Sequence, residues 1–132
     1  MKRVSLDVSG LNETLSRLKD VAEAGLDSTR AVVEEVTREV HSLATGNIVE
    51  GGTSLPGQYP KSQTGRLRSS IRMELPGDAG RAVGMVGSDA LHARFLEHGT
   101  ASMEPRPWLL PSFETAVEGV AGDLKAEFES RI

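Results

Sequence analysis

Apolar residues fall at positions 11, 15, 18 and 22, at intervals of four, three and four, which is one face of a helix. Ser9 stands just before them as an N-cap candidate, since its hydroxyl can accept from an unpaired first-turn N–H. The segment AGLDSTR, residues 24–30, interrupts the pattern. Gly25 is a poor helix-interior residue, and Asp27 or Ser28 can cap a new segment. Val33, Val36, Val40, Leu43 and Ala44 then resume a stripe. Residues 10–49 therefore read as one long helix, or as two that meet at a kink near Gly25. Residues 2–8 alternate weakly, as a short strand or arm does.

The period is lost over GNIVEGGTSLPGQYPKSQTG, which is rich in glycine and holds two prolines. A segment of this length without periodicity predicts a mobile loop over residues 50–63, with Lys61 open to proteolysis. Thr64 then stands as the N-cap of one short helical turn, TGRLRSSI. Next, SIRMELPG and RAVGMVGS alternate on either side of a Gly-Asp turn, the mark of a β-hairpin. Ile71, Met73 and Leu75 are expected to face one way, with Arg72 and Glu74 the other, and Val83 and Met85 follow as the apolar positions of the return strand. DALHARFLEHG predicts a short helix closed by Gly99 in a left-handed C-cap. TASMEPRP is extended, because Pro105 and Pro107 bias their neighbours away from helix. Phe113, Val117, Val120 or Ala121, Leu124, Phe128 and Ile132 then form one last amphipathic helix. This order predicts a single α+β domain over 1–132, with a long N-terminal helix and a C-terminal helix packed on a small antiparallel sheet that contains the hairpin.

Composition changes this picture little. At 132 residues, 38% hydrophobic and 26% charged, the chain is in the range of one globular domain. With 4% aromatic residues, its core must rest on aliphatic side chains. No cysteine is present, which excludes disulfides and cysteine-held zinc. MKRVSLDVSG lacks the apolar run of a secretory signal, and no stretch of eighteen apolar residues marks a membrane span. The net charge of -4 argues against general affinity for nucleic acid.

Candidate chemistry is sparse. His92 and His98 are six apart and diverge around a helix, and His41 is distant in sequence, so no metal-ligand spacing emerges. There is no G-x-S-x-G elbow, Glu97 and His98 point apart as helix neighbours, and Lys61-Ser62 after Gly57 fails the Walker spacing. No catalytic residue, metal or cofactor is expected. Arg66, Arg68 and Arg72 form the strongest basic run, but nothing aromatic interleaves them to stack bases. The chain's only Trp and two of its three Phe gather in FLEHGTASMEPRPWLLPSF, residues 95–113. Phe95 and Phe113 lie on periodic faces and read as core, whereas Trp108, after Pro107 in an extended segment, can lead into a helix or face a partner.

Three motifs in order carry a family resemblance: Thr64, Gly65, Leu67, Ser70 and Ile71; then Ala93, Glu97, Gly99 and Thr100; then Pro107, Trp108, Leu109 and Pro111. Together they resemble the neck or tail-completion proteins of long-tailed bacteriophages and prophages, the group typified by the tenth gene product of a lambdoid coliphage. That group has T-G-x-L-x-x-S-I before the sheet, Y-A-x-x-x-E-x-G-T after it and P-F-L-x-P-A at the last helix. Here His92 stands at the usual tyrosine, Trp108 at the phenylalanine and Ser112 at the alanine. The resemblance covers about residues 60–115. It implies a non-enzymatic virion protein at the neck or tail end, assembled in the host cytoplasm. Its expected form is a homo-oligomeric, hexameric ring that meets neck, head-completion or tail-tube proteins and lets DNA pass without specific binding.

A ring needs one patch to meet a different patch on the next copy. The sequence offers a basic patch at Arg66, Arg68 and Arg72 and an acidic and aromatic one from Glu97 through Glu104 to Trp108. Thr64, Gly65, Gly99, Thr100, Pro107 and Pro111 read as a rigid structural hinge, with Glu97 accepting from the Gly99–Thr100 turn or from Arg66. The alternative function is a small nucleic-acid-binding regulator that uses the three arginines.

Overall fold

The computed structural model describes residues 9–48, 54–60 and 65–132. Residues 2–8, Thr64, Lys61 and the remaining flanks of the 50–63 segment lie outside the described residues. The chain folds as α+β: α1 (Ser9–Gly46), α2 (Arg66–Ser70), β1 (Ile71–Glu74), β2 (Met85–Ser88), α3 (Leu91–His98), α4 (Leu110–Ala116) and α5 (Val120–Arg131).

The long helix is unbroken through Gly25, and its interior hydroxyls are the reason Asp27 and Ser28 do not start a second one. Ser28 donates to the Ala24 carbonyl at 2.6 Å, Thr29 to Gly25 at 2.8 Å and Thr37 to Val33 at 2.6 Å. A hydroxyl satisfied by the carbonyl one turn back can be buried inside a helix, as Ser28 and Thr37 are. Gly25 faces α5, where a Cβ would make an ordinary 3.8 Å contact with the Phe128 ring. Ser9 is the first residue of the helix rather than a cap before it.

β1 and β2 pair antiparallel, Ile71 with Ser88, Met73 with Val86 and Glu74 with Met85. Opposed residues share a face, so Val86 joins Met73 toward the interior, while Met85 joins Glu74 and is exposed. Val83 precedes the strand.

The expected single C-terminal helix is two. Gly119 takes a left-handed conformation, φ 76°, and turns the chain between α4 and α5. Glu118 and Val120 donate to the Thr115 and Val117 carbonyls across the break, so its backbone groups stay paired.

The core lies at the C-terminal end of α1. Ala44 and Ile48 meet Leu67 of α2, Ile71 of β1, Ala93 of α3 and Trp108, with Tyr59, Val86 and Leu96 around them. The middle of the 50–63 segment is part of this packing. Ser54 and Pro60 are buried, the Tyr59 hydroxyl lies 3.3 Å from Ser112 Oγ, and Gly57 donates to the Pro105 carbonyl at 2.9 Å. No helix among the described residues is long and apolar enough to cross a membrane.

Candidate docking surface

The segment from Glu97 to Leu110 is a strap, and one carboxylate organises it. Glu97 sits near the end of α3 and reaches the start of α4. Its Oε2 accepts from the N–H groups of Trp108 and Leu109, both at 2.8 Å, and its Oε1 from Leu110 at 2.9 Å. The first N–H groups of a helix have no partner within it, and negative charge is favoured there. Pro111, at the second helical position, has no N–H to satisfy. Glu97 thus joins two of the three sequence motifs. Its partners are neither the Gly99–Thr100 turn nor Arg66, because the turn closes on itself: Thr100 N–H donates to Met103 at 2.8 Å, and Gly99 N–H to Phe95 at 2.7 Å.

Gly99 has φ 74° and ψ 176°, which is not the left-handed helical cap expected but an extended conformation open essentially to glycine alone. A Cβ there would also stand 2.8 Å from the Met103 carbonyl oxygen and 2.9 Å from Pro105 Cδ. Gly65 too has a positive φ, 76°, at the start of α2. Pro107 is half-buried.

The aromatic residues exchange the roles read for them. Trp108 is 3% exposed and donates its indole N–H to the Ala93 carbonyl at 2.9 Å. It is the largest member of the core cluster and offers nothing to a partner. Phe95 and Phe113 are 43% and 50% exposed. The physical reason is the strap, which turns Trp108 inward under α3 and leaves Phe113 on the outer wall of α4.

The arginines do not form one patch. Arg66 and Arg68 flank buried Leu67 on a single turn of helix and so project to different sides. Arg72, on the exposed face of β1, has Asp89 at 3.8 Å, with both side chains largely in water. Such a pair contributes little. Glu104 is exposed in the loop after Met103.

Among the described residues, two apolar surfaces stand uncovered. One is a groove of about 1000 Å³, floored by Val33, Val36 and Val40 of α1 and walled by Val86, Leu110 and Phe113. Three polar side chains line it: Thr37 is used on the Val33 carbonyl and Glu97 on α4, while His98 is exposed. The other surface is the N-terminal half of α1, where Leu11, Leu15, Leu18 and Val21 are 54%, 54%, 60% and 48% exposed. The sequence stripe placed these residues on one face without showing that nothing covers it. Length was the available signal. A helix of 38 residues is about 57 Å long, whereas a compact domain of 132 residues spans about 36 Å. The excess, about 14 residues, corresponds to the run 10–23 in which every residue is exposed.

No curated protein and no solved structure matches the chain. A family profile matches residues 9–99, from the first residue of α1 to the turn after α3. The match takes in the long helix, which the three motifs did not carry, and stops before Trp108. The chain belongs to the bacteriophage family described as "Bacteriophage HK97-gp10, putative tail-component".

Proposed function

We propose that this tail-component protein is a structural subunit that joins head to tail or completes the tail by forming a ring, most simply of six copies. The observation that carries the reading is the pair of uncovered apolar surfaces on two separate stretches of one rigid helix. Monomers rarely leave contiguous apolar patches of this extent in water. Two different patches on one chain make a heterologous contact, which propagates and closes into a ring. The partners are further copies of itself, then neck, head-completion or tail-tube proteins above and below. DNA passes through the lumen without specific binding, in keeping with a net charge of -4.

Exposed Arg66, Arg68, Arg72 and Glu104 are surface positions for charge pairing between neighbours, where they set orientation more than affinity. Glu97 and Trp108 act within the subunit and hold α3 and α4 together. The test is imaging of purified particles together with native mass spectrometry of the free chain. A ring density at the neck or tail end that accommodates this fold supports the reading. A strict twofold dimer burying both apolar surfaces, or particles that lack the chain, overturns it.

A further inference from the structure

The helix that carries the bare stripe also carries the groove floor, so one copy cannot satisfy itself. Leu18 lies about 21 Å before Val32 along the axis and Leu11 about 32 Å before it, and an unbroken helix does not fold back over that span. We infer that the groove of one copy receives the N-terminal half of α1, residues 10–23, from a second copy of this chain, laid in along Leu11, Leu15 and Leu18. The inference rests on the ring reading above and names the contact that builds the ring.

The dimensions agree. Fourteen helical residues make a rod about 21 Å long and about 10 Å across, and half of that rod displaces roughly 800 Å³. The groove holds about 1000 Å³. At 100° per residue, Lys19 falls on one shoulder of the Leu stripe with its ion-pair partner Glu23 beside it, while Asp20 and the paired Glu13 and Arg17 lie toward the back. Across the contact, Glu114 and Glu118 lie beside Leu110, Phe113 and Val117 on the α4 side and are exposed. Lys19 is thus the cation of this helix placed to meet the acidic edge of the slot.

The area sets the strength. A half-sunk rod of this size buries roughly 700 Å² over both partners, below the 1,200 Å² typical of a stable pair. One contact is therefore weak, and each subunit of a closed ring makes two. The groove suits a helix better than a small ligand, because a ligand site needs a few polar groups free to orient its occupant. Here the lining is mostly aliphatic, Thr37 and Glu97 are engaged within the subunit, and His98 is the one further polar side chain on it.

The experiment uses the full chain. Sedimentation and native mass spectrometry follow association up to about 1 mM, where contacts worth only about 4 kcal/mol become visible. A stripe variant carries Leu15→Asp and Leu18→Asp, and a groove variant carries Leu110→Asp and Phe113→Asp. All four residues are exposed, so each variant keeps the parent's fold, checked by circular dichroism. Each variant alone loses association more than tenfold. Mixed one to one, they form a heterodimer and nothing larger, because the groove variant still donates its helix and the stripe variant still offers a groove. As a second measurement, the cysteine-free chain with Leu15→Cys is mixed with chain carrying Phe113→Cys. Oxidation links the two kinds of copy.

A parent that stays monomeric at 1 mM, a stripe variant that associates like the parent, or a mixture that remains monomeric overturns the inference. If the parent forms rings in particles and the stripe variant does too, the ring reading stands and this contact falls. If the heterodimer forms but particles lack the chain, the contact stands and the ring reading falls.

Discussion

The two halves of α1 have the same hydrophobic period and opposite surroundings. Toward its C-terminal end the stripe packs into the fold, with Val32, Val40 and Ala44 buried, and Ile48 just beyond the helix, while Val33 and Val36 between them floor the groove. From Leu11 to Val21 the stripe continues exposed, with none of the described residues packed over it. Periodicity reports that a segment is a helix and which way it faces; it does not report what it faces. A stripe that outruns the domain is complementary to something beyond the monomer.

The sharpest way to break this comparison is to remove the buried end. Trp108→Ala deletes the largest core side chain and its bond to Ala93, and should cost about 3–5 kcal/mol in denaturant unfolding. Were the loss under 1 kcal/mol, the core would not be centred where the structure places it. Gly99→Val is next. The backbone conformation there costs a β-branched residue of order 1–3 kcal/mol, with the Met103 and Pro105 contacts in addition. A melting temperature equal to the parent's would remove the strained turn from the account.

Glu97→Ala leaves the N–H groups of Trp108, Leu109 and Leu110, at the entry to α4, without their acceptor and should cost about 0.5–2 kcal/mol, with Glu97→Gln recovering part of the loss. If the alanine variant melted like the parent, water would be doing the same work and the strap would not depend on this carboxylate. At the bare end, Leu15→Ala should change monomer stability by no more than about 0.5 kcal/mol, and Glu104→Ala likewise. A large loss in dilute Leu15→Ala would mean that the stripe is covered within the monomer, and the contrast between the two halves would collapse.

Much of the architecture was legible because it is written locally. The intervals among Leu11, Leu15 and Leu18 gave the helix, the alternation around the Gly-Asp turn gave the hairpin, and Gly99 marked the end of α3. What was not legible depends on distant partners. The side that Met85 faces follows from register, and one residue of slip reverses it. The roles of Trp108 and Phe113 are set by how the strap enters α4, which requires Glu97 to meet N–H groups eleven to thirteen residues ahead. The break at Gly119 has the same character, since its apolar neighbours fit one continuous stripe or two equally well. The three arginines are close in sequence, but the turn that buries Leu67 sends two of them apart.

The continuity of α1 carries a metrical consequence. Because the donating stripe and the receiving floor are cut into the same 38-residue rod, the distance between them is fixed by residue count: about 20 residues, or about 30 Å, from Leu15–Leu18 to Val36. Under the helix-in-groove contact this rod is the gauge of the ring, since subunit spacing cannot exceed it. The circumference of the assembly would then be measured out by the length of a single helix rather than by the bulk of the domain.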